Sequence, residues 1–142
     1  MAYEFQVTVD CAEPHVLADW WADALGWDVE PQDEGFIRSM IAQGHATDDE
    51  TTRHNGKLVW KTGAAIRHPE GLERAPRMLF QWVPEPKTVK NRMHLDLRTG
   101  DDRDDVVQRL LGKGATYLHD GRQGPMSWVT LADPEGNELC VS

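Results

Sequence analysis

The stretch Val129–Gly136, VTLADPEG, decides how this chain folds, because a similar stretch stands earlier in the chain. Its counterpart, Ala64–Gly71, reads AAIRHPEG and lies 65 residues earlier. Each is an apolar strand-like run that ends in Pro-Glu-Gly, a sequence suited to a turn. Each is followed by a second alternating run: RMLFQWV (Arg77 to Val83) in the first copy and NELCVS (Asn137 to Ser142) in the second.

Upstream of each copy the same order recurs. EFQVTVDC alternates, with Phe5, Val7, Val9 and Cys11 predicted on one face and Gln6, Thr8 and Asp10 on the other. A helix should follow, since Pro14 suits a first helical turn and Glu13 the positive end of the dipole. Leu17, Trp20, Trp21, Ala24 and Leu25 form its apolar stripe, and Gly26 stops it. In the second copy NRMHLDLRTG, Asn91 to Gly100, alternates likewise, with Met93, Leu95 and Leu97 opposite His94, Asp96 and Arg98. The segment DDRDDVVQRLLGKG then carries a stripe of Val106, Val107, Leu110 and Leu111 behind an acidic first turn, with Gly112 near the stop.

Gln6 matches His94 at an offset of 88 residues, so the first copy holds about 23 extra residues relative to the offset of 65. These fall in an insertion at about 31–57. There Phe36, Ile37, Met40 and Ile41 predict a short amphipathic helix over about 36–44, and TDDETTRHNG reads as a polar loop. The expected architecture is α+β: two βαβββ modules, about 3–90 and 91–142, in a single domain. A pseudo-twofold would relate them, and their curved mixed sheets would enclose one cavity.

Composition narrows the function classes. The net charge of −9 disfavours nucleic acid and anionic membranes as partners. No apolar run is long enough to span a bilayer, and MAYEFQVTVD has no signal-peptide character, so a cytoplasmic location is expected. Cys11 and Cys140 have no close second cysteine and read as reduced, small core residues. Trp60, Trp82 and Trp128 lie on strand-like runs, where they either pack the core or wall a pocket. His15, His45, His54, His68 and His119 read as loop or helix-edge residues rather than ligands. There is no phosphate loop, nucleophile elbow or dinucleotide fingerprint.

The paired modules, DWWADALGW, MHLDL and ADPEGNELCV resemble the vicinal oxygen chelate superfamily, in particular its glyoxalase-like branch. That is the group of glyoxalase I, bleomycin-resistance proteins and extradiol dioxygenases. The resemblance implies ligands on the first and last strand of each module. It puts Gln6, His94 and Glu138 at metal-ligand positions, with Glu138 as the carboxylate that would move a proton. One divalent ion (Zn, Ni, Fe, Mn or Co) would suit that set. Arg77 occupies the fourth position, where some members carry a carboxylate. An inward guanidinium that pairs with Glu138 would replace the metal's charge, which favours a metal-free pocket. Small-molecule binding by Gln6, Arg77, Gln81, His94 and Glu138 is therefore the leading expectation. The alternative is a metal-dependent lyase, isomerase or dioxygenase. The family also implies a homodimer.

Overall fold

The computed structural model describes residues 1–142, which divide into two compact units, Met1–Glu85 and Pro86–Ser142. Unit one opens with β1 (Val7–Cys11), α1 (Pro14–Leu25) and β2 (Asp28–Val29). After the insertion come β5 (Gly63–Arg67) and β6 (Met78–Trp82), giving a sheet in the order β1-β6-β5-β2. Unit two runs β7 (Leu95–Leu97), α3 (Arg103–Gly112), β8 (Thr116–Gln123), β9 (Met126–Ala132) and β10 (Glu138–Val141). Its sheet order, β7-β10-β9-β8, is the same topology. In each, the first and last strands pair in parallel and the remaining pairs are antiparallel. The α+β class and the repeated βαβββ order are thus as the sequence predicts.

The helices form for the reasons visible in the sequence. Pro14 is the first residue of α1, and Gly26 ends it in the left-handed region at φ 69°. Leu17, Trp20, Trp21 and Ala24 are buried, and α1 rests on β5 and β6. Beneath it lie Ile66 and Phe80, both fully buried. Asp104 and Asp105 sit in the first turn of α3, whose Val107 and Leu110 are buried. The core of unit two continues through Leu131, Leu139 and Val141.

Alternation overreaches at strand beginnings. Phe5 is 73% exposed and Met93 is 87% exposed, because β1 starts only at Val7 and β7 only at Leu95. A residue before the first ladder bond has no sheet to hold it over the helix. Trp128 covers Gly121 across the β8–β9 ladder, filling the space a side chain would need there.

The insertion is more ordered than its polarity suggests. Its helix, α2, spans Glu34–Ala42 and begins where the Asp33 side chain accepts from the Phe36 amide at 3.1 Å. Only Ile37 on this helix is buried, on the side that meets β4 (Lys57–Trp60), whereas Phe36 is 53% exposed. The expected polar loop contains a short 3₁₀ turn and a hairpin, β3 (Thr51–His54) paired with β4 (Lys57–Trp60). Asn55 and Gly56 turn it with φ of 51° and 79°. Asn-Gly is the sequence signal for such a turn, and it outweighs the polar composition around it.

Candidate functional site

In unit one, parallel pairing of β1 with β6 places Thr8 beside Leu79 and Asp10 beside Gln81. Just before the ladder, Gln6 meets Arg77, whose Nη1 donates to Gln6 Oε1 at 3.2 Å. The polar face predicted for Gln6, Arg77 and Gln81 is therefore formed, since Met78 and Phe80 point into the core opposite it.

Arg77 does not wait for Glu138. Its Nε and Nη2 each donate to the Glu30 carboxylate at 2.9 Å, a bidentate pair. Glu30 follows β2, and its backbone N–H donates to the Ala65 carbonyl at 2.8 Å. In place of the expected Arg77–Glu138 pair, Arg77 takes Glu30 and Glu138 takes Lys87. Hydrogen bonding from Arg77 lowers the Glu30 pKa against the opposing effect of burial, and Arg67 adds a smaller attraction.

Arg77, Glu30, Gln32, Trp60, Ala65 and Leu79 line a cleft of about 280 Å³. Gln32 is pinned at both ends of its amide: Nε2 donates to the Gly63 carbonyl at 2.9 Å, and Oε1 accepts from the Trp60 amide at 2.8 Å. Glu30 and Gln32 escaped the sequence reading because they lie at the edge of the insertion, outside any repeat.

A consequence is measurable. The Glu30–Arg77 pair is 24% and 34% exposed, so solvent screens it and Arg77→Ala should cost about 1–2 kcal/mol at neutral pH. Because the folded pKa of Glu30 is lowered, its contribution is present above the ordinary carboxylate range. It disappears as pH falls through the lowered folded value. Urea midpoints followed from neutral to acid pH should converge for the two proteins. A constant gap across that range would mean the loss is packing rather than charge.

In unit two the polar face carries His94, Asp96, Glu138 and Cys140, with Asp96 opposite Cys140 in the β7–β10 register. Glu138 is occupied on both oxygens: Lys87 Nζ donates to Oε1 at 3.0 Å and the Asn91 amide to Oε2 at 3.2 Å. Burial works against this carboxylate, yet Lys87 and the backbone donors outweigh it and its pKa is lowered. His94 Nδ1 lies 2.7 Å from Asp96 Oδ1. Cys140 is half-buried on this polar face rather than in the core. Burial pushes its thiol up, the Thr130 hydroxyl at 3.5 Å opposes that, and the Asp96 carboxylate adds to it.

The turn before β10 explains the DPEGNE motif. Asp133 is 2% exposed, and its Oδ1 accepts from the Glu135 and Asn137 amides at 2.9 and 3.0 Å. The Asn137 side chain adds a bond to Oδ2 at 2.9 Å. Asn137 in turn accepts from the Asn91 side chain at 2.9 Å, tying the approach of β7 to the start of β10.

Two of the histidines read as loop or helix-edge residues make structural contacts. His54 Nε2 lies 2.6 Å from Asp19 Oδ2, and His15 Nε2 lies 2.7 Å from the Trp60 carbonyl. Their rings face each other at 5.2 Å, which fastens the β3–β4 hairpin to α1.

A model of the glyoxalase-like domain matches residues 6–142. The chain belongs to the glyoxalase-like domain family. It is thereby a member of the vicinal oxygen chelate superfamily. Solved structures share the fold at low identity. The fosfomycin resistance protein FosX from Mesorhizobium loti is 7% identical, with TM-score 0.62 over 99% of this chain and 90% of that one. A glyoxylase/bleomycin resistance protein/dioxygenase domain from a Frankia species is 12% identical, with TM-score 0.59 over 99% and 96%. FosX from Listeria monocytogenes, in complex with Mn(II) and a dihydroxypropylphosphonic acid, is 6% identical, with TM-score 0.64 over 99% and 91%. Among curated proteins, none matches by sequence.

The oxygens at the glyoxalase-like ligand positions are already engaged within each unit. Gln6 turns its oxygen to the Arg77 guanidinium, and both Glu138 oxygens are held by donors, one of them an ammonium.

Proposed function

We propose that this glyoxalase-like protein binds a small oxygenated or drug-like molecule without a metal at Gln6, His94 and Glu138. The carrying observation is that the two oxygen donors of that set already accept from Arg77 and Lys87. The cleft in unit one supplies what such a ligand needs. The Trp60 indole and the Leu79 and Ala65 side chains offer apolar contact, while Gln32, Glu30 and Arg77 set polar edges around it. Arg77 and Gln81 orient the ligand on the sheet face. In unit two, His94 and Glu138 play the equivalent part. Glu138 is the group that would move a proton if the bound molecule is also transformed.

The alternative, a metal-dependent lyase, isomerase or dioxygenase, draws support from the Mn(II) complex of the Listeria FosX. One experiment separates the two. Fosfomycin, bleomycin and a panel of small hydroxy- and aromatic acids are titrated against the protein with tryptophan fluorescence as readout, in EDTA and then with added Mn²⁺. Saturable quenching in EDTA that is lost in Trp60→Phe supports the metal-free pocket. Binding that appears only with Mn²⁺, or no binding by any compound, overturns it.

A further inference from the structure

We infer that His94, Asp96 and Cys140 form a site for a soft divalent cation of the zinc type on the polar face of unit two. Their ligand atoms all lie within 4.8 Å of one another. For bonds of about 2.0–2.3 Å, the edge of a tetrahedral site is roughly 3.3–3.8 Å. Small side-chain rotations therefore close the set around one ion.

The frame that carries the three residues is firm. Asp96 and Cys140 are direct neighbours in the parallel β7–β10 ladder, and His94 immediately precedes β7. Behind them, Leu97 is 7% exposed, while Leu139 and Val141 are fully buried. Thr130, itself buried, sits 3.5 Å from the Cys140 sulfur and can donate its hydroxyl to the thiolate. Such outer hydrogen bonds orient a metal ligand and tune its basicity.

The donor chemistry selects the ion. Thiolate, imidazole and carboxylate together suit Zn²⁺ or Co²⁺; Mg²⁺ and Ca²⁺ prefer oxygen alone. The thiolate and the carboxylate neutralise a divalent charge. Lys90 is the nearby cation; its charge favours the thiolate, and its ammonium is already directed to the Asn91 carbonyl at 3.3 Å. The His94 and Asp96 side chains are 39% and 55% exposed, so the fourth position opens to water. On binding, the Cys140 thiol releases its proton to solvent and His94 ligates as neutral imidazole.

This site is not the family position. It shares His94 with that set but omits Gln6 and Glu138, whose oxygens are otherwise engaged. It goes beyond the small-molecule reading and shares His94 with it; metal titration without any small molecule tests it separately.

The test is a Co²⁺ titration of the reduced, chelator-stripped full chain, followed by Zn²⁺ competition. One Co²⁺ per chain with a thiolate-to-cobalt charge-transfer band in the near ultraviolet is expected, displaced by one Zn²⁺. Cys140→Ser should abolish the band and weaken Zn²⁺ at least about a hundredfold, beyond the effect of losing only a supporting group. His94→Ala and Asp96→Asn alter exposed side chains and should each weaken Zn²⁺ at least about tenfold, which keeps the test decisive should Cys140→Ser fail to fold. Gln6→Ala and Glu138→Gln should retain the band. A natural protein without the band, or a Cys140→Ser protein that folds and keeps it, overturns the site. So does loss of the band in Gln6→Ala or Glu138→Gln.

Discussion

Phe80→Ala is expected to lose about 3–5 kcal/mol of folding stability, the range for deleting a fully buried aromatic ring. Phe80 is 0% exposed at the centre of β6, opposite Val9 and beneath α1. Its removal forfeits both the transfer energy of the ring and the contacts of the residues left lining the void. Ladder bonds from β1 and β5 hold β6 on either side, so the backbone has little freedom to collapse into the gap. The informative control is Phe5→Ala. Both phenylalanines fall on the apolar phase of an alternating run, yet Phe5 is 73% exposed. Its replacement should stay within about 0.5 kcal/mol. Urea unfolding measures both; similar losses at the two positions would mean that Phe5 is covered in solution.

Asp133→Ala should cost about 3–4 kcal/mol, because it strands donors instead of making a void. Two backbone amides and the Asn137 side chain converge on this nearly buried carboxylate. Each donor left without an acceptor loses about 1–3 kcal/mol, and the losses overlap because they share one turn. Asp133→Asn keeps one oxygen but turns an amide NH2 group toward donors, so an intermediate loss is expected. The consequence reaches the polar face, since this turn launches β10, which carries Glu138 and Cys140. Faster amide exchange at residues 135–141 in Asp133→Ala, with unit one unaffected, would show that the loss is local. A loss below about 1 kcal/mol would mean that water replaces the carboxylate without strain.

The repeat was legible because it rests on short-range physics. Period-2 alternation, a helical stripe behind Pro14 and a Pro-Glu-Gly turn are each written within a few residues, and two occurrences make chance matching untenable. The same logic assigned Gln6, Arg77, Gln81, His94 and Glu138 to polar faces; Gln81 lies in the β1–β6 ladder opposite Asp10, and Gln6 and Arg77 hydrogen-bond just before it. The Asn55-Gly56 hairpin was equally local and was overlooked only because its surroundings are polar.

Partner choice was not legible, because an ion pair forms with whichever opposite charge the fold brings nearest. The family resemblance pointed Arg77 at Glu138, whereas the short β2 edge strand delivers Glu30 to it, 47 positions away in the chain. Lys87, in the segment before β7, reaches Glu138 for the same reason. The chain alone determined the α+β class and the repeated βαβββ order, since these follow from local periodicity. Tertiary structure decided which strand ends are covered, which charges meet, and that Cys140 joins His94 and Asp96. Those outcomes depend on distances between residues far apart in sequence, and only closure of the sheets sets them.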